Sequence, residues 1–287
     1  MAIPNQLIIS GCPGSGKSWY LRELVSGDSD AQITTITLHP DYNYSDFIGC
    51  YKPVPVYEES VKVRKASGEA FALGIPKINY EFVPGPFIDA YILACRNPDY
   101  NIVLVIEEIN RTNCNTLFGD VFQLLDRNNS NESEHEIEAM PDLREYLKSQ
   151  GLSSTLKLPS NLFICGTMNS ADQGVFPLDS AFRRRWEFQY KGYKTLCKYS
   201  EVDQRIIYAG TAKKWDDFRG KINESLIKLG IHEDKLIGPY FLTIRELSDS
   251  EAILNKLFLF LWDDVLRFER KELLDFESFA ELSEEWG

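Results

Sequence analysis

The segment that most constrains the fold of this chain lies near its start and reads LIISGCPGSGKSWYLREL, residues 7–24. Residues 11–18 fit the pattern G-x-x-x-x-G-K-[ST], between a predicted buried strand and a predicted helix, which is the context that the pattern requires. In such a turn the glycines let backbone N–H groups point inward and surround a chain of phosphates. The alternative is a glycine-rich turn with an incidental lysine. Motif and context together favour a phosphate-binding loop.

The residues expected to bind the phosphates belong to this loop and to the start of its helix: Gly11, Pro13, Gly14, Ser15, Gly16, Lys17 and Ser18. Lys17 is expected to bring a positive charge to the β- and γ-phosphates, and the Ser18 hydroxyl to bind Mg²⁺. The helix N-terminus adds a partial positive charge. The loop therefore predicts a nucleoside triphosphate as ligand and Mg²⁺ as cofactor.

Apolar runs with the spacing of an α/β protein follow this loop at residues 32–38, 101–106, 161–169 and 185–190. They are continuous rather than alternating, which indicates a sheet that is covered on both faces and therefore has parallel strands with helical crossovers. The helical periodicity of the chain between these runs predicts two of the crossover helices, at 85–97 and 115–127.

The segment 128–154 is polar and acidic, and it is predicted to be a surface excursion. After about residue 191 the strand signals stop, and the segments 202–230 and 253–274 are predicted to be amphipathic helices. The change from α/β to mostly helical patterning predicts two domains, at residues 1–190 and 191–287.

Two adjacent acids end the most apolar of the predicted strands, in the segment NIVLVIEEINRTN. A phosphate-binding loop needs acids at the end of a neighbouring strand. Glu107 is expected to hold Mg²⁺, usually through its water shell, and Glu108 to orient or deprotonate the attacking water. The alternative is an ordinary strand-to-helix junction, in which the acids interact with the helix dipole. That alternative leaves the phosphate-binding loop without its partner.

The composition limits the classes of function that the chain can have. Its net charge is −12 and 44% of its residues are hydrophobic, so a folded protein is expected whose bulk surface does not attract nucleic acid. A local basic groove is still compatible with this charge. The six cysteines and three histidines have no metal-ligand spacing, which favours reduced thiols in the cytoplasm and no metal beyond one that arrives with a ligand. No run approaches the ~20 apolar residues that a membrane span needs.

Three stretches carry a family resemblance: EEINRTNCNTLFGDVFQLLDR, LPSNLFICGTMNSADQGVFPLDSAFRRRWEF and, more weakly, LHPDYNYSDFIGCYKP. In these stretches the chain resembles an AAA+ nucleotide hydrolase of the McrB branch, the motor subunit of modification-dependent restriction systems. The resemblance implies a parallel five-stranded sheet between layers of helices, followed by a smaller helical lid domain. It covers residues 7 to about 270 and is most specific over 101–190.

The resemblance also implies roles for individual residues. Asn169 matches the family's sensor residue, which fixes the hydrolytic water near the γ-phosphate. Asp172 completes the family signature M-N-x-x-D and is expected to hold this loop at the nucleotide. Arg183 and Arg184, in a run of three arginines, match the cluster whose guanidinium reaches the neighbouring subunit's nucleotide. The alternative for these arginines is a solvated basic corner.

Three departures from the family pattern affect these expectations. Glu107 stands where the family has Asp, and Mg²⁺ tolerates changes of geometry poorly. Pro239 lies where the best-known member has polar residues, so the lid sensor is not identified. Arg245 is a weak candidate for a phosphate contact, and an exposed helix arginine is the favoured interpretation. Because the loop begins at Gly11, the DNA-reading domain of such proteins is expected to have been cut from this chain or to lie on another subunit.

The function expected from the resemblance is that of a magnesium-dependent nucleoside triphosphate hydrolase. GTP is favoured over ATP, although the guanine-reading motif Asn-Lys-x-Asp is absent. The expected partners are copies of the same chain, which form a hexameric ring, and a McrC-like nuclease subunit. DNA is expected to be contacted indirectly, and no membrane is expected as a partner. The alternatives are a MoxR-like ATPase that remodels protein complexes and a nucleotide-dependent scaffold that does not hydrolyse.

A tyrosine-rich segment, Tyr42–Tyr51, follows the second predicted strand. AAA+ rings commonly place loops at this position that face the central pore. The segment, together with Lys52, is therefore a candidate contact for DNA or for the partner subunit, and the partner subunit is favoured. The alternative is that the tyrosines pack against the edge of the sheet.

Overall fold

The computed structural model describes residues 3–58, 75–208, 211–267, 269–274 and 276–286. Its strands, in chain order, are β1 (Gln6–Gly11), β2 (Gln32–Thr37), β3 (Gly49–Glu58), β4 (Ile75–Pro84), β5 (Ile102–Glu107), β6 (Ile137–Glu138), β7 (Thr155–Leu156), β8 (Leu162–Met168), β9 (Glu187–Lys191), β10 (Arg205–Tyr208) and β11 (Thr211–Lys214).

The α-helices are α1 (Lys17–Val25), α2 (Tyr44–Phe47), α3 (Pro86–Arg96), α4 (Cys114–Phe118), α5 (Pro141–Ser149), α6 (Ser180–Arg183), α7 (Trp215–Lys228), α8 (Ile244–Leu247), α9 (Ser250–Ala252), α10 (Arg270–Leu273) and α11 (Phe279–Trp286). Short 3₁₀ turns span Ile109–Arg111, Gly119–Leu125 and Glu233–Lys235, and π-helical turns span Ile253–Phe258 and Leu261–Val265. Among the residues that the structure describes, no helix is long and apolar enough to cross a membrane.

Five parallel strands form the central sheet in the order β2-β5-β8-β1-β9. Successive side chains of the buried strands point to opposite faces, and both faces are covered. On one face Leu7, Ile9, Val103 and Val105 pack against α1, and on the other face the larger core contains α3 and α4. Continuous apolar strands are required by this double coverage. The structure therefore confirms the predicted α/β fold with a parallel five-stranded sheet between helices.

The described residues after 191 form a separate hydrophobic core around Trp215, Leu257 and Leu261. Strands continue in this region, because β10 and β11 pair in an antiparallel hairpin. The prediction of a helix over 202–230 is therefore wrong in its first half, and α7 begins only at Trp215. Ile206 and Ile207 are β-branched residues, which favour a strand. The division into domains at 190/191 stays a prediction.

Two other segments differ from the sequence-based expectation. The acidic segment 128–154 carries the short β6–β7 pair and α5, whose Leu143 and Leu147 are buried in the main core, so it is more than a surface excursion. The helix predicted at 115–127 ends at Phe118 and continues as a 3₁₀ turn. Gly119 has a positive φ of 51°, and a Cβ there would lie 2.8 Å from the Tyr44 ring.

The tyrosine-rich segment is largely packed. Tyr42 and Tyr44 are half-buried against the main core, and the Tyr44 hydroxyl donates a hydrogen bond of 2.7 Å to Asp120 Oδ1. Asn43 begins α2 with a capping box that includes Asp46. The structure thus favours the packing interpretation over the pore-loop interpretation for these two tyrosines, whereas Tyr51 is exposed.

Strands β3 and β4 form a hairpin that was not predicted from the sequence. Three successive pairs on one face of the hairpin are apolar: Tyr51 opposite Phe82, Pro53 opposite Tyr80, and Pro55 opposite Ile78. Ile78 is 74% exposed and Tyr80 is 67% exposed. At the base of the hairpin, Phe82 packs against the body of the protein, with its ring 5.0 Å from that of Tyr146.

The hairpin prolines share one position in the hydrogen-bonding pattern. Directly opposite residues of an antiparallel pair alternate between hydrogen-bonded and non-hydrogen-bonded pairs. Pro53, Pro55, Pro76 and Pro84 all have the same parity in the register. Proline has no N–H, so these are the non-hydrogen-bonded pairs, in which an N–H would point away from the partner strand. The prolines therefore leave the ladder between the strands intact and remove donors from the outer edges at positions 53, 55, 76 and 84.

Candidate active site

The phosphate-binding loop joins the carboxyl end of β1 to the N-terminus of α1. Gly14 and Gly16 have positive φ angles of 71° and 84°, which favour glycine. A Cβ on Gly14 would overlap the backbone of Phe241, and a Cβ on Gly16 would lie 3.0 Å from the Tyr240 ring. The two glycines thus provide both the turn of the loop and the close approach of the chain around residue 240.

Lys17 lies inside the loop, and its burial lowers the pKa of its amine. Its Nζ donates hydrogen bonds of 3.0 Å to the carbonyl oxygens of Gly11 and Cys12, and a further one to Asn169 Oδ1. Asn169 directly follows β8, which is adjacent to β1 in the sheet. The structure therefore brings together the predicted phosphate-binding lysine and the predicted sensor residue.

Glu107 ends β5 and faces the first turn of α1. The Ser18 hydroxyl donates a hydrogen bond of 3.4 Å to Glu107 Oε2, and Arg22 Nη2 lies 2.9 Å from Glu107 Oε1. A hydroxyl and one carboxylate are the hard oxygen ligands that suit Mg²⁺, which usually keeps waters and substrate phosphates as its other ligands. No cluster of three or more His, Cys, Asp or Glu residues suited to a metal occurs in the described part of the chain. The residues present thus fit a Mg²⁺ that arrives with a nucleotide.

Glu108 has a left-handed backbone conformation, with φ 56° and ψ 47°, which is uncommon for a residue other than glycine. Its N–H donates a hydrogen bond of 3.3 Å to Thr167 Oγ1, and its Oε2 lies 3.4 Å from Arg111 Nε. Burial raises the pKa of the Glu108 carboxyl. Backbone strain of this kind concentrates at functional sites. Here the two adjacent carboxylates point in different directions: Glu107 points toward Ser18, and Glu108 points toward Arg111.

Arg111 connects Glu108 to the end of β8, a role that was not predicted from the sequence. Its Nη2 forms an ion pair with Asp172 Oδ2, and the same oxygen accepts a hydrogen bond of 3.4 Å from Asn169 Nδ2. Asn110 also reaches this strand end, because its Nδ2 donates a hydrogen bond of 2.7 Å to the Asn169 carbonyl. A signal was present in the sequence, since Arg111 follows Glu108 by three residues, which is one turn of a 3₁₀ helix.

The three consecutive arginines have different environments. Arg185 has only 7% of its side chain exposed, lies 2.6 Å from Asp126 Oδ2 and stacks over Phe122 at 4.1 Å. Arg183 and Arg184, the two predicted catalytic arginines, are exposed at the end of α6. Arg185 is thus engaged within the fold, whereas its two neighbours are available to a partner.

Comparison with known proteins decides the family. A model of the AAA domain of the dynein-related subfamily matches residues 6–186. The chain belongs to the AAA family. It is 45% identical, over 99% of its own length and 86% of the relative's, to a protein of Bacillus subtilis (strain 168) described as the type II restriction enzyme BsuMI component YdiS.

A more distant relative is the type IV methyl-directed restriction enzyme EcoKMcrB subunit of Escherichia coli (strain K12), which is 28% identical over 66% of this chain. The chain spans about a third of that protein, the matched share being 35%. A solved structure of a putative ATPase from Cytophaga hutchinsonii has 17% identity and a TM-score of 0.38, over 78% of this chain and 58% of that one; a likeness this low adds nothing to the assignment. The chain is thus an AAA-type NTPase related to McrB-like restriction proteins.

In this AAA protein the region after residue 191 touches the phosphate-binding loop through its backbone. Gly238 N–H donates to the Pro13 carbonyl at 3.0 Å, and Tyr240 N–H donates to the Gly14 carbonyl at 2.7 Å. The Pro239 carbonyl between them accepts a hydrogen bond of 2.8 Å from Trp215 Nε1. The segment around Pro239 therefore lies on the loop, whereas Arg245 is exposed on α8.

Proposed function

We propose that the chain is a magnesium-dependent nucleoside triphosphate hydrolase, with GTP favoured over ATP, and that it acts in the cytoplasm as the ring-forming motor of a McrBC-like restriction system. The observation that carries the hydrolase proposal is the divergence of the two acids after β5. One carboxylate reaches the hydroxyl beside the phosphate-binding lysine, and the other reaches the polar side chains at the end of β8. Metal binding and water activation are thereby assigned to separate, adjacent groups.

In the proposed reaction each residue has a distinct part. Lys17 and the loop N–H groups bind the phosphates, and Ser18 and Glu107 would hold Mg²⁺, which when bound neutralises charge on the phosphates. Glu108 accepts a proton from the attacking water, and its raised pKa makes it a better base than an exposed glutamate. Asn169, supported by Asp172, orients that water.

The position of the arginines supports action between subunits. Gly11 pairs with Lys191 and Leu7 pairs with Glu187, so the carboxyl end of β9 lies beside the phosphate-binding loop and its amino end lies at the opposite edge of the sheet. Arg183 and Arg184 precede that amino end, so they lie roughly 13 Å or more from the phosphate-binding loop along the strand direction. They are remote from the phosphate-binding loop of their own chain. We propose that they contact the nucleotide of the next copy in a hexameric ring.

The partner proposals rest on the relatives. A 45% identical component of a restriction enzyme favours a restriction role over a MoxR-like remodelling role, and we propose a McrC-like nuclease as the second subunit. DNA would be contacted through another domain or subunit, because the acidic chain has no overall attraction for phosphate. We also propose that residues 1–190 and 191–287 are separate domains. Six free thiols suit a reducing compartment.

A scaffold that binds nucleotide without hydrolysing it is the second candidate, and the contact between Arg22 and Glu107 favours it. The guanidinium forms an ion pair with the acid that is expected to hold Mg²⁺. Phosphate release from GTP and ATP, measured with and without Mg²⁺ and with and without the nuclease subunit, distinguishes the two. Hydrolysis that depends on Mg²⁺ and on Glu108 supports the motor. Tight binding with no release under every condition supports the scaffold, and release restored in an Arg22→Ala variant would identify the contact between Arg22 and Glu107 as its cause.

A further inference from the structure

An aromatic cavity of about 380 Å³ opens beside the first turn of α1. It is lined by Gly16, Trp19, Lys198, Tyr199 and Tyr240. Its volume lies within the range of about 300–1,000 Å³ that is usual for small-molecule sites. Of the phosphate-binding and catalytic residues described above, only Gly16 lines this cavity, and it does so with its backbone. The cavity is therefore a neighbour of the phosphate site rather than a part of it.

The walls of this cavity are held in place by hydrogen bonds. The Cys197 N–H donates to Asp216 Oδ2 at 3.1 Å, and the Tyr199 carbonyl accepts from Gln204 Nε2 at 2.9 Å, so the backbone is fixed on both sides of Lys198. The Lys198 N–H donates in turn to the Tyr240 hydroxyl at 3.3 Å.

The aromatic rings are arranged as a cluster around this backbone. The rings of Tyr199 and Tyr240 meet edge to face, with their centroids 5.5 Å apart. Such a wall is preorganised for a planar ligand, because few rotamers remain to be fixed on binding.

Trp19 provides the open side of the cavity. Its side chain is 50% exposed, although a tryptophan gains much from being covered, and the Lys198 ammonium lies 4.3 Å from its ring centroid. Trp19 directly follows Lys17 and Ser18, so a ligand that stacks on its ring has a phosphate-binding loop at its other end. A flat aromatic group linked to phosphates is the chemistry of a nucleotide.

We infer that this cavity binds the base of the nucleotide. The base stacks on the Trp19 ring in the place where the Lys198 ammonium now lies, and the flexible lysine moves to the edge of the base, where it selects a purine with a 6-oxo group. The inference rests on the proposed function and assigns its base-reading residues. A lysine only donates hydrogen bonds. Guanine presents O6 and N7, both acceptors, whereas adenine presents a donor amino group beside N7. Lys198 therefore attracts guanine and hypoxanthine at this edge and disfavours adenine.

Equilibrium binding of GDP, IDP and ADP to the full chain, with Mg²⁺, tests the role of Lys198. In Lys198→Met the apolar stem is kept and the charge is lost, so the affinities for GDP and IDP should fall roughly tenfold, as expected for one hydrogen bond to a charged group. The affinity for ADP should change less than about twofold. IDP lacks the 2-amino group of GDP, so an equal loss for both identifies O6 and N7 as the contact.

The matched control is Lys194→Met, which removes another exposed lysine from the same segment, located 5.8 Å from the Tyr193 ring. This variant should bind all three nucleotides as the unaltered chain does. A Lys198→Met variant that binds GDP unchanged, or that loses GDP and ADP affinity equally, overturns the assignment of Lys198.

Inorganic tripolyphosphate separates this inference from the proposed function. Trp19→Ala should weaken the binding of every nucleotide at least about fivefold, as expected for a lost stacking partner, and should leave tripolyphosphate binding unchanged. Trp19→Phe should restore most of the nucleotide affinity. Unchanged nucleotide binding in Trp19→Ala overturns the base pocket but leaves the hydrolase proposal standing. Binding of neither tripolyphosphate nor any nucleotide to the unaltered chain overturns the proposed function itself.

Discussion

The phosphate-binding loop is enclosed from two sides that are built in different ways. On one side lie the ends of β5 and β8, which place charged and amide side chains at fixed positions in a parallel sheet. On the other side lies the segment around Pro239, whose hydrogen bonds to the loop are donated by backbone N–H groups. The first side acts through the chemistry of its side chains, and the second side acts through the shape of its backbone. Substitutions should accordingly affect catalysis on the first side and closure around the nucleotide on the second.

The largest expected effect concerns the arginines at the far edge of the sheet. Arg183→Ala or Arg184→Ala should reduce turnover by roughly 10³–10⁵-fold, because a catalytic arginine supplies about that much rate. The free energy of unfolding and the nucleotide affinity should change little. Steady-state phosphate release and chemical denaturation measure the two effects.

The control for this prediction is Arg185→Ala, which should lose stability instead, since it leaves Asp126 without its buried partner. A mixture of the Arg183→Ala and Glu108→Gln proteins should recover part of the activity at mixed interfaces. No recovery in assembled mixtures argues against action between subunits.

The next effect concerns the acids on the side-chain face of the site. Glu108→Gln should keep nucleotide binding and lower turnover about 10²–10⁴-fold, because it removes the base and keeps the shape. Glu107→Gln should mainly change the concentration of Mg²⁺ that is needed. Titration of turnover with Mg²⁺ in both variants distinguishes them, and unchanged turnover in Glu108→Gln refutes the assignment of the base.

The environment of Glu108 also predicts a pH dependence. Burial raises the pKa of this carboxyl above its usual 4.5. The base must be ionised, so turnover should fall on acidification through a pKa higher than 4.5, while an exposed glutamate would titrate lower. The ionised form is disfavoured in the folded state, so its cost to stability is present above the folded pKa and is relieved as the pH falls through it. An acidic limb of the kcat profile at or below 4.5 contradicts this prediction.

The backbone side of the comparison is tested at Gly238. A Cβ there would overlap the backbone of Gly14, so Gly238→Ala should push the segment away from the loop and weaken nucleotide binding several-fold. Gly220→Ala in α7 is the matched control, because nothing lies within 4 Å of its Cβ position, and it should raise stability by about 0.5–1 kcal/mol. Nucleotide titrations of both variants provide the measurement. Equal affinities in the two would remove the proposed difference between the sides.

The smallest expected effect concerns the packed tyrosines. Tyr44→Phe removes the hydrogen bond to Asp120 and should lower the free energy of unfolding by about 1 kcal/mol, with basal turnover unchanged. Chemical denaturation and phosphate release provide the measurements. Full stability together with lost stimulation by the nuclease subunit would instead favour the pore-loop interpretation of the segment Tyr42–Tyr51.

The sequence sufficed for the parts of the molecule that obey simple periodicity. Four continuous apolar runs and the loop at Gly11 gave the sheet, and parallel strands necessarily bring Lys17, Glu107 and Asn169 to one edge. Arg111 was missed because its role depends on a 3₁₀ turn that folds it back beneath Glu108. The hydrogen bonds from Gly238 and Tyr240 to the loop are made by the backbone, which leaves no side-chain signature in the sequence.

The two hairpins were missed for a different reason. In β3 and β4 prolines interrupt the residues that favour strands, and proline usually argues against a strand. In β10 and β11 each strand has only four residues, which is too short for periodicity to separate a strand from the start of a helix.

The prolines of the β3–β4 hairpin have a consequence for the solubility of the protein at high concentration. An exposed strand edge is a template on which another chain can add a strand, and growth of that kind leads to fibrous aggregates. Positions 53 and 55 on one edge and 76 and 84 on the other offer no donor for such growth. The hairpin can therefore keep an apolar face in water and still resist edge-to-edge addition of strands through its backbone. Replacing Pro53 and Pro55 by Thr should leave the fold intact and increase light scattering on concentration, because it restores two donors to an edge.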